Sequence, residues 1–245
     1  MYIKEIQAKT ILSKSKIFPY VINPYVGCQH NCSYCYARFM KRFTGHPEPW
    51  GQFVDVKINA IELLQHEITR KKPDRVWVSG VCDPYQPLER KYQLTRGCLQ
   101  ILAERQWPVT VQTRSPMVLR DMDIIKTGRD FEFGMSITTA DDSMRYKFEP
   151  SAPPIAERLG ALEELHKAGI RTFAMLAPIL PGCEDLPELL AGKTDFVLLD
   201  RMNYHHADWV YRKYGLEEMN SAGYFDVVEQ TLRLAFGRLG IACQG

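Results

Sequence analysis

The 245-residue sequence contains no uninterrupted apolar run long enough to cross a bilayer, which excludes an ordinary membrane-spanning helix. The segment from Met1 to Lys16 lacks the apolar stretch and the small-residue cleavage site of a secretory signal peptide. The net charge is only +2, which gives no argument for a nucleic-acid partner by itself. These absences predict a cytoplasmic protein that does not associate with membranes.

Cysteine is too sparse for a secreted disulfide scaffold, because such scaffolds are shorter and denser in cysteine. The chain has 7 cysteines, an odd number, and three of them lie within the eight residues from Cys28 to Cys35. In a reducing compartment, a tight cluster of cysteines indicates a metal or iron–sulfur site.

The remaining composition is that of an ordinary globular protein, with 45% hydrophobic and 24% charged residues. Short apolar runs alternate with amphipathic segments, a pattern that predicts βαβ units and a parallel sheet. About six units fit the chain, whereas a full eight-unit barrel takes about 250 residues. We therefore expect an α/β fold, a partial (β/α)6 TIM barrel, in a single domain over residues 1–245. Its core would span about residues 20–200, and a helical C-terminal extension about residues 201–245. The predicted strands are Tyr20 to Asn23, Val76 to Val78, Pro108 to Thr113, Phe131 to Thr138, Ile170 to Ala177 and Phe196 to Leu199. The predicted helices are Val56 to Arg70, Thr95 to Arg105, Met117 to Lys126, Ile155 to Ala168, Leu186 to Leu190 and Tyr224 to Leu239.

The clustered cysteines Cys28, Cys32 and Cys35 have the spacing C-x3-C-x2-C. Iron–sulfur clusters are usually held by four thiolates, so three ligands leave one iron open to a substrate or cofactor. A structural zinc site would need a fourth ligand and usually two cysteine pairs. His30 is too close in sequence to serve comfortably as that ligand, and there is no second pair. A non-catalytic zinc module that binds nucleic acid is the alternative from another class.

This spacing, with Tyr34 directly before the last cysteine, resembles the signature of the radical S-adenosylmethionine (SAM) superfamily. The resemblance implies that Cys28, Cys32 and Cys35 hold a [4Fe–4S] cluster whose open iron binds SAM. It further implies reductive cleavage of SAM to a 5′-deoxyadenosyl radical, with electrons from a reductant such as flavodoxin or ferredoxin.

Further segments resemble the spore photoproduct lyase family, and in particular its shorter DNA repair photolyase-like members. These segments are Gly27 to Arg38, Asp83 to Pro87, Phe133 to Thr138, Lys147 to Pro150, Glu157-Arg158, Ala168-Gly169 and Ala177 to Ile179. The resemblance implies a DNA substrate carrying a thymine dimer. The alternative within the same superfamily is a peptide, a nucleoside or a small metabolite.

The resemblance also assigns roles in cofactor binding. It implies that Tyr34 offers backbone atoms to the adenine and that Ser136 bonds the methionine end of SAM. Arg114 stands where the lyases have lysine, and either cation can pair with the SAM carboxylate. Thr138 and Arg158 complete the expected cofactor-binding set, although Arg158 can equally form a structural ion pair with Glu149.

Tyr36 and Cys82 are the expected catalytic residues. Tyr36 matches a tyrosine implicated in hydrogen return to the product radical. The lyases return hydrogen through a cysteine after the second strand, but alignment places Gly80 there and Cys82 two residues later. Cys82 is therefore either a hydrogen donor or a small buried residue.

Two other segments carry expectations. The polar residues of the loop after the second strand are expected to line the pocket: Asp83, Tyr85, Gln86 and Glu89. An aromatic and basic stretch near the C-terminus is interpreted first as helix packing and second as a nucleic-acid contact. It contains Trp209, Tyr211, Arg212, Lys213, Tyr214 and Tyr224.

Overall fold

The computed structural model describes all 245 residues, which divide into two compact units. The first unit comprises Met1–His30 and Ala37–Phe133, and the second comprises Asn31–Tyr36 and Gly134–Gly245. The expectation of one domain over residues 1–245 remains a prediction, and each unit is described by itself.

The first unit contains seven strands and four α-helices. The strands are β1 (Tyr2–Ile6), β2 (Leu12–Lys14), β3 (Tyr20–Ile22), β4 (Tyr25–Val26), β5 (Phe53–Lys57), β6 (Val76–Val78) and β7 (Val109–Thr113). The helices are α1 (Ala60–Glu67), α2 (Glu89–Tyr92), α3 (Leu94–Glu104) and α4 (Met122–Ile125), with 3-10 turns at Ile68–Arg70 and Pro116–Asp121.

The strands of this unit form two groups. In one, β5 lies between β1, which is parallel to it, and β4, which is antiparallel. In the other, the order is β2-β3-β6-β7, and β3, β6 and β7 are mutually parallel neighbours. The β6 strand begins at a buried valine and ends at another, so both of its ends contribute to the core.

Strand β8 (Phe131–Ser136) begins in the first unit and ends in the second. The second unit continues with β9 (Arg171–Leu176), β10 (Phe196–Leu199) and β11 (Ala242–Gln244), in the spatial order β8-β9-β10-β11. Both β9 and β11 pair with β10 in parallel. Its helices are α5 (Asp142–Phe148), α6 (Ile155–Lys167), α7 (Leu186–Leu190), α8 (Asp208–Lys213) and α9 (Ala222–Arg238), with 3-10 turns at His205–Ala207 and Glu217–Asn220.

Helix α6 ends where the sequence predicts, because Gly169 follows it with φ +77° and its N–H donates to the His166 carbonyl. A left-handed residue at this position lets the last turn satisfy its free carbonyls, and glycine adopts it without a steric penalty.

The strands predicted from apolar runs are present with ends that differ by up to two residues. Three predictions need correction. The segment Met117 to Lys126 is not one α-helix, because Pro116–Asp121 is a 3-10 turn and only Met122–Ile125 is α-helical. Val56 and Lys57 belong to β5 rather than to the following helix, because β5 pairs with β1 through these positions. The C-terminal segment is not helical throughout, because Ala242–Gln244 joins the sheet beside β10. No helix in the structure has the length and apolar character that a membrane span requires.

Candidate functional site

The three clustered cysteines lie in one loop, which follows β4 and leads into a 3-10 helix at Tyr36–Phe43. None of them forms a disulfide; Cys28 and Cys32 are buried and Cys35 is half-buried. The loop begins at Gly27, whose φ is +94° and where an added Cβ would lie 2.2 Å from the Phe53 carbonyl oxygen. Only glycine fits there, because both the backbone angle and the close approach exclude a side chain.

Gln86 holds the first half of this cysteine loop by its backbone. The Gln86 side chain is fully buried, its Nε2 donates to the Gly27 carbonyl at 3.2 Å, and its Oε1 accepts from the Gln29 N–H at 3.1 Å. In return, Gln29 Oε1 accepts from the Leu88 N–H at 2.7 Å. The two loops are therefore tied by three hydrogen bonds between residues more than 50 positions apart.

Asp83 holds the same half through His30, which lies between Cys28 and Cys32 in sequence. The Asp83 carboxylate is 3.3 Å from His30 Nε2. It also accepts from Thr113 Oγ1 at 2.6 Å and from the Arg114 N–H at 2.7 Å. Burial opposes ionisation of Asp83, but the attraction of His30 and these hydrogen bonds outweigh it and lower the pKa to about 2.

Glu89 supports the strand that precedes the cysteine loop. Its carboxylate is fully buried and accepts hydrogen bonds from the Tyr25 hydroxyl in β4 and from the Thr95 N–H, and it pairs with Arg120 at 3.1 Å. Burial raises the pKa of Glu89 despite these partners. The Tyr85 hydroxyl is likewise buried and donates to Asp121 at 3.1 Å. The expectation that these polar residues line a pocket is wrong for their side chains, which are buried and bonded within the protein.

Glu149 organises the second half of the cysteine loop. The Tyr34 hydroxyl donates to Glu149 Oε1, which also accepts from Thr138 Oγ1 at 3.1 Å. Arg158 Nη2 lies 2.5 Å from Glu149 Oε2, and both side chains are fully buried. The Ser33 N–H donates to the Phe148 carbonyl at 2.8 Å, so this half is also anchored by its backbone.

Each guanidinium nitrogen of Arg158 contacts an acceptor within the protein. Besides Glu149, its Nε donates to the Pro153 carbonyl at 2.9 Å and its Nη1 donates to the Ser136 carbonyl at 3.0 Å. Of its two expected roles, the structure displays the ion pair. Four of the predicted cofactor-binding residues thus gather around Glu149, whose central position the sequence indicated only through the matching Glu149-Pro150 segment. These four are Tyr34, Ser136, Thr138 and Arg158.

An apolar cluster surrounds two of the cysteines in the second unit. Cys32 and Tyr34 pack in one buried cluster with Phe148 and Tyr211, and Cys35 packs against it. The Phe148 and Tyr211 rings meet edge to face with centroids 4.9 Å apart. This packing keeps Cys32 and Tyr34 buried.

The remaining predicted residues have different surroundings. Cys82 is half-buried, packs against a cluster that includes Tyr25 and Val54, and donates through Sγ to the Tyr25 carbonyl at 3.4 Å. Burial raises the pKa of its thiol to about 12, so Cys82 is a neutral S–H. Tyr36 is 44% exposed and Arg114 is half-buried. The roles of all three remain predictions.

The donor set of the loop fits an iron–sulfur cluster, because it offers three cysteine sulfurs and no disulfide uses them. The structure gathers no three His, Cys, Asp or Glu side chains into a group that could hold a metal ion. The assignment of Cys28, Cys32 and Cys35 as ligands therefore depends on their residue type, their spacing and the comparisons below.

Parallel strands alternating with helices define an α/β protein, and its three clustered cysteines lie in a loop after an early strand. Residues 22–186 match the family model of the radical SAM superfamily. The chain belongs to the radical SAM superfamily. The cofactors of this family are a [4Fe–4S] cluster and SAM, as predicted.

Several proteins are similar in sequence. An uncharacterized protein of Methanocaldococcus jannaschii is 36% identical over 192 residues, which cover 78% of this chain and 72% of that protein. An uncharacterized protein of Mycobacterium bovis is 30% identical over 71% of this chain and 53% of its own length. A radical SAM Nalpha-GlyT isomerase of Pseudomonas phage M6 is 24% identical over 65% of this chain and 33% of that protein.

Solved structures confirm the predicted fold. Spore photoproduct lyase complexed with dinucleoside spore photoproduct superposes with a TM-score of 0.72 at 16% identity, covering 99% of this chain and 82% of that one. SuiB of Streptococcus suis bound to precursor peptide SuiA gives a TM-score of 0.59 at 14% identity, covering 92% of this chain and 48% of that one. The chain thus has the mixed α/β fold with a parallel sheet that is typical of radical SAM partial TIM barrels.

Proposed function

We propose that this protein is a radical SAM enzyme that acts on a lesion or modified base in nucleic acid, in the manner of a spore photoproduct lyase. The observation that carries the proposal is the likeness to spore photoproduct lyase with its dinucleoside, which extends over 99% of the chain. The lyase-like segments of the sequence agree with it, and the gathering of Tyr34, Ser136, Thr138 and Arg158 around Glu149 is consistent with a built site.

In this proposal, Cys28, Cys32 and Cys35 hold the cluster. Bound there, the cluster and SAM would supply radical chemistry for hydrogen abstraction. Ser136 and Arg114 bind the methionine portion of SAM, and Tyr34 binds its adenine through backbone atoms. Because its guanidinium already contacts Glu149 and two carbonyls, we assign Arg158 to positioning rather than to direct contact with SAM.

Hydrogen return is assigned to Cys82 and Tyr36. A hydrogen-atom donor must carry its hydrogen, and the raised pKa of the buried Cys82 thiol keeps it as S–H. Its present bond to the Tyr25 carbonyl would have to open for this donation. A reductant such as flavodoxin or ferredoxin supplies the electron.

The test uses anaerobically reconstituted, reduced protein with SAM and a spore-photoproduct dinucleotide. We expect methionine release together with thymidine. Cys32→Ala should lose iron and both products, whereas the matched variant Cys243→Ala, outside the motif, should keep them. Methionine release without thymidine would overturn the repair assignment, and a fully iron-loaded protein that releases neither would overturn the radical chemistry.

A second candidate keeps the same cofactors and changes the substrate to a peptide. The observation that favours it is the likeness to SuiB bound to its precursor peptide. Gly80 in place of the expected donor cysteine agrees with it. Methionine release stimulated by a peptide library, with no response to the dinucleotide, would favour this candidate over the first. The membership in the radical SAM superfamily leaves the zinc-module alternative without support.

A further inference from the structure

The C-terminal aromatic stretch separates into a packed part and an exposed part. Tyr211 is 1% exposed and belongs to the cluster that contains Cys32 and Tyr34. Trp209 and Tyr214, in contrast, are 49% and 39% exposed. The interpretation as helix packing therefore holds for Tyr211, whereas Trp209 and Tyr214 each leave part of a ring open to a partner.

Two lysines accompany these rings. Lys147 Nζ lies 5.3 Å from the Tyr214 ring centroid and Lys213 Nζ lies 5.2 Å from it. Trp209 and Lys213 are four residues apart on α8, so they share one side of the helix. We call these four residues, Lys147, Trp209, Lys213 and Tyr214, the aromatic–lysine face.

The positive charge of the face is only partly compensated, because the charge of Lys147 acts, after the hydrogen bond from Ser143, to lower the pKa of Asp141. Neither of its lysines takes part in an ion pair of the structure. Asp208, the acidic residue of α8, is engaged with His205 at 3.1 Å and with Asn220 at 3.1 Å. Two like charges beside one exposed ring are unfavourable by themselves, and an anionic partner would relieve that repulsion.

A buried cluster of side chains lies beneath the aromatic–lysine face. The buried side of α8 contributes Val210 and Tyr211 to the same cluster as Cys32, Tyr34 and Phe148. Lys147 directly precedes Phe148, whose ring packs edge to face on Tyr211. Helix α8 and the segment around Lys147 therefore pack on one buried cluster in the second unit. Cys32 belongs to this cluster, and Cys35 packs against it.

We propose that the aromatic–lysine face binds single-stranded nucleic acid, with Trp209 and Tyr214 stacking on unpaired bases and Lys147 and Lys213 contacting phosphates. Exposed rings interleaved with cations are the usual basis of single-strand binding, because every base offers a flat face and every nucleotide a negative charge. A paired duplex keeps its bases stacked on each other and would use only the lysines. The face has no aliphatic member, unlike a groove that docks a peptide helix. This inference rests on the proposed function for the choice of nucleic acid. It adds that the substrate is a polymer, which the protein also binds at nucleotides outside the lesion.

The test measures equilibrium binding of cofactor-loaded protein to a labelled dT12 oligonucleotide, its rU12 counterpart and a 12-base-pair duplex. We expect both single strands to bind more tightly than the duplex. The ratio of the affinities for dT12 and rU12 shows whether the face prefers DNA or RNA. Trp209→Ala should weaken single-strand binding about 5- to 150-fold. The double variant Lys147→Ala/Lys213→Ala should reduce the slope of log K against log salt by about 1.4, since each phosphate contact on a single strand contributes about 0.7.

Controls remove comparable exposed groups elsewhere. Val227→Ala removes an exposed side chain of α9, and Lys4→Ala/Lys126→Ala removes two exposed lysines of the first unit. Neither control should change the affinity for dT12 or the salt slope by more than the error. Circular dichroism and iron content of each variant establish that it is folded and loaded.

Three results would overturn the inference. One is the absence of dT12 binding by loaded wild-type protein that cleaves SAM. The second is binding that the Trp209 and lysine variants leave unchanged. The third is a dimer in light scattering that Trp209→Ala dissociates without loss of dT12 affinity, which would make the face a contact between two copies. Binding that follows the variants supports the inference even where the dinucleotide yields no thymidine, a result that counts only against the repair assignment.

Discussion

Replacing Gln86 by leucine should loosen the cysteine loop while leaving the three thiols in place. Leucine has a similar volume but neither donates nor accepts, so the Gly27 carbonyl and the Gln29 N–H both lose their partner. Each buried backbone group left unsatisfied costs about 1–3 kcal/mol, so we expect a loss of about 2–6 kcal/mol in the free energy of unfolding. The matched control is Gln100→Leu, because the Gln100 side chain is exposed and bonds only to Glu104.

Urea denaturation of the metal-free protein measures that loss, and iron and sulfide analysis after reconstitution measures its consequence. We expect Gln86→Leu to retain less iron per chain than wild type at equal cluster supply, because the loop must be ordered before three thiolates can act together. A Gln86→Leu protein with wild-type stability and full iron would refute the view that this side chain orders the loop.

Three further predictions follow from the buried charges and from Cys82. Arg158→Met should destabilise the protein by about 3–5 kcal/mol in urea, because it leaves Glu149 buried without its cation, and adding Glu149→Gln should restore much of the loss. The stability advantage of wild type over Asp83→Asn, about 2 kcal/mol from the lowered pKa, should be complete above about pH 4 and vanish as the pH falls through about 2; a difference independent of pH would contradict it. Cys82→Ala should still release methionine from SAM and lose thymidine from the dinucleotide, and an unchanged thymidine yield would remove Cys82 from the mechanism.

Much of the fold was predictable because its strands and long helices carry their own signals. Val76 to Val78 and Phe196 to Leu199 are short apolar runs, and α6 ends in a cation and a glycine. The edges were harder. The local pattern predicts a helix at the end of strand β5, because the strand forms only by pairing with β1, more than 50 residues earlier. Local periodicity does not report so distant a partner.

The site shows the same division. The C-x3-C-x2-C spacing is local and identified the loop, but the residues that hold the loop are distant in sequence. Glu149 lies 115 residues from Tyr34, and Gln86 lies 59 residues from Gly27. Nothing in a polar, proline-rich segment distinguishes a side chain that lines a pocket from one that turns inward, because composition does not specify direction.

The glycine before the first cysteine has a consequence for reading other sequences. At Gly27 the backbone of β5 passes so close that an added Cβ would overlap the Phe53 carbonyl. A protein with the same cysteine spacing and a bulkier residue at that place must therefore carry its motif over a differently routed strand. If all residues are tried at position 27 of this chain, we expect only glycine to give folded protein. Glycine at the corresponding position of another sequence would then indicate the same backbone path beneath the loop.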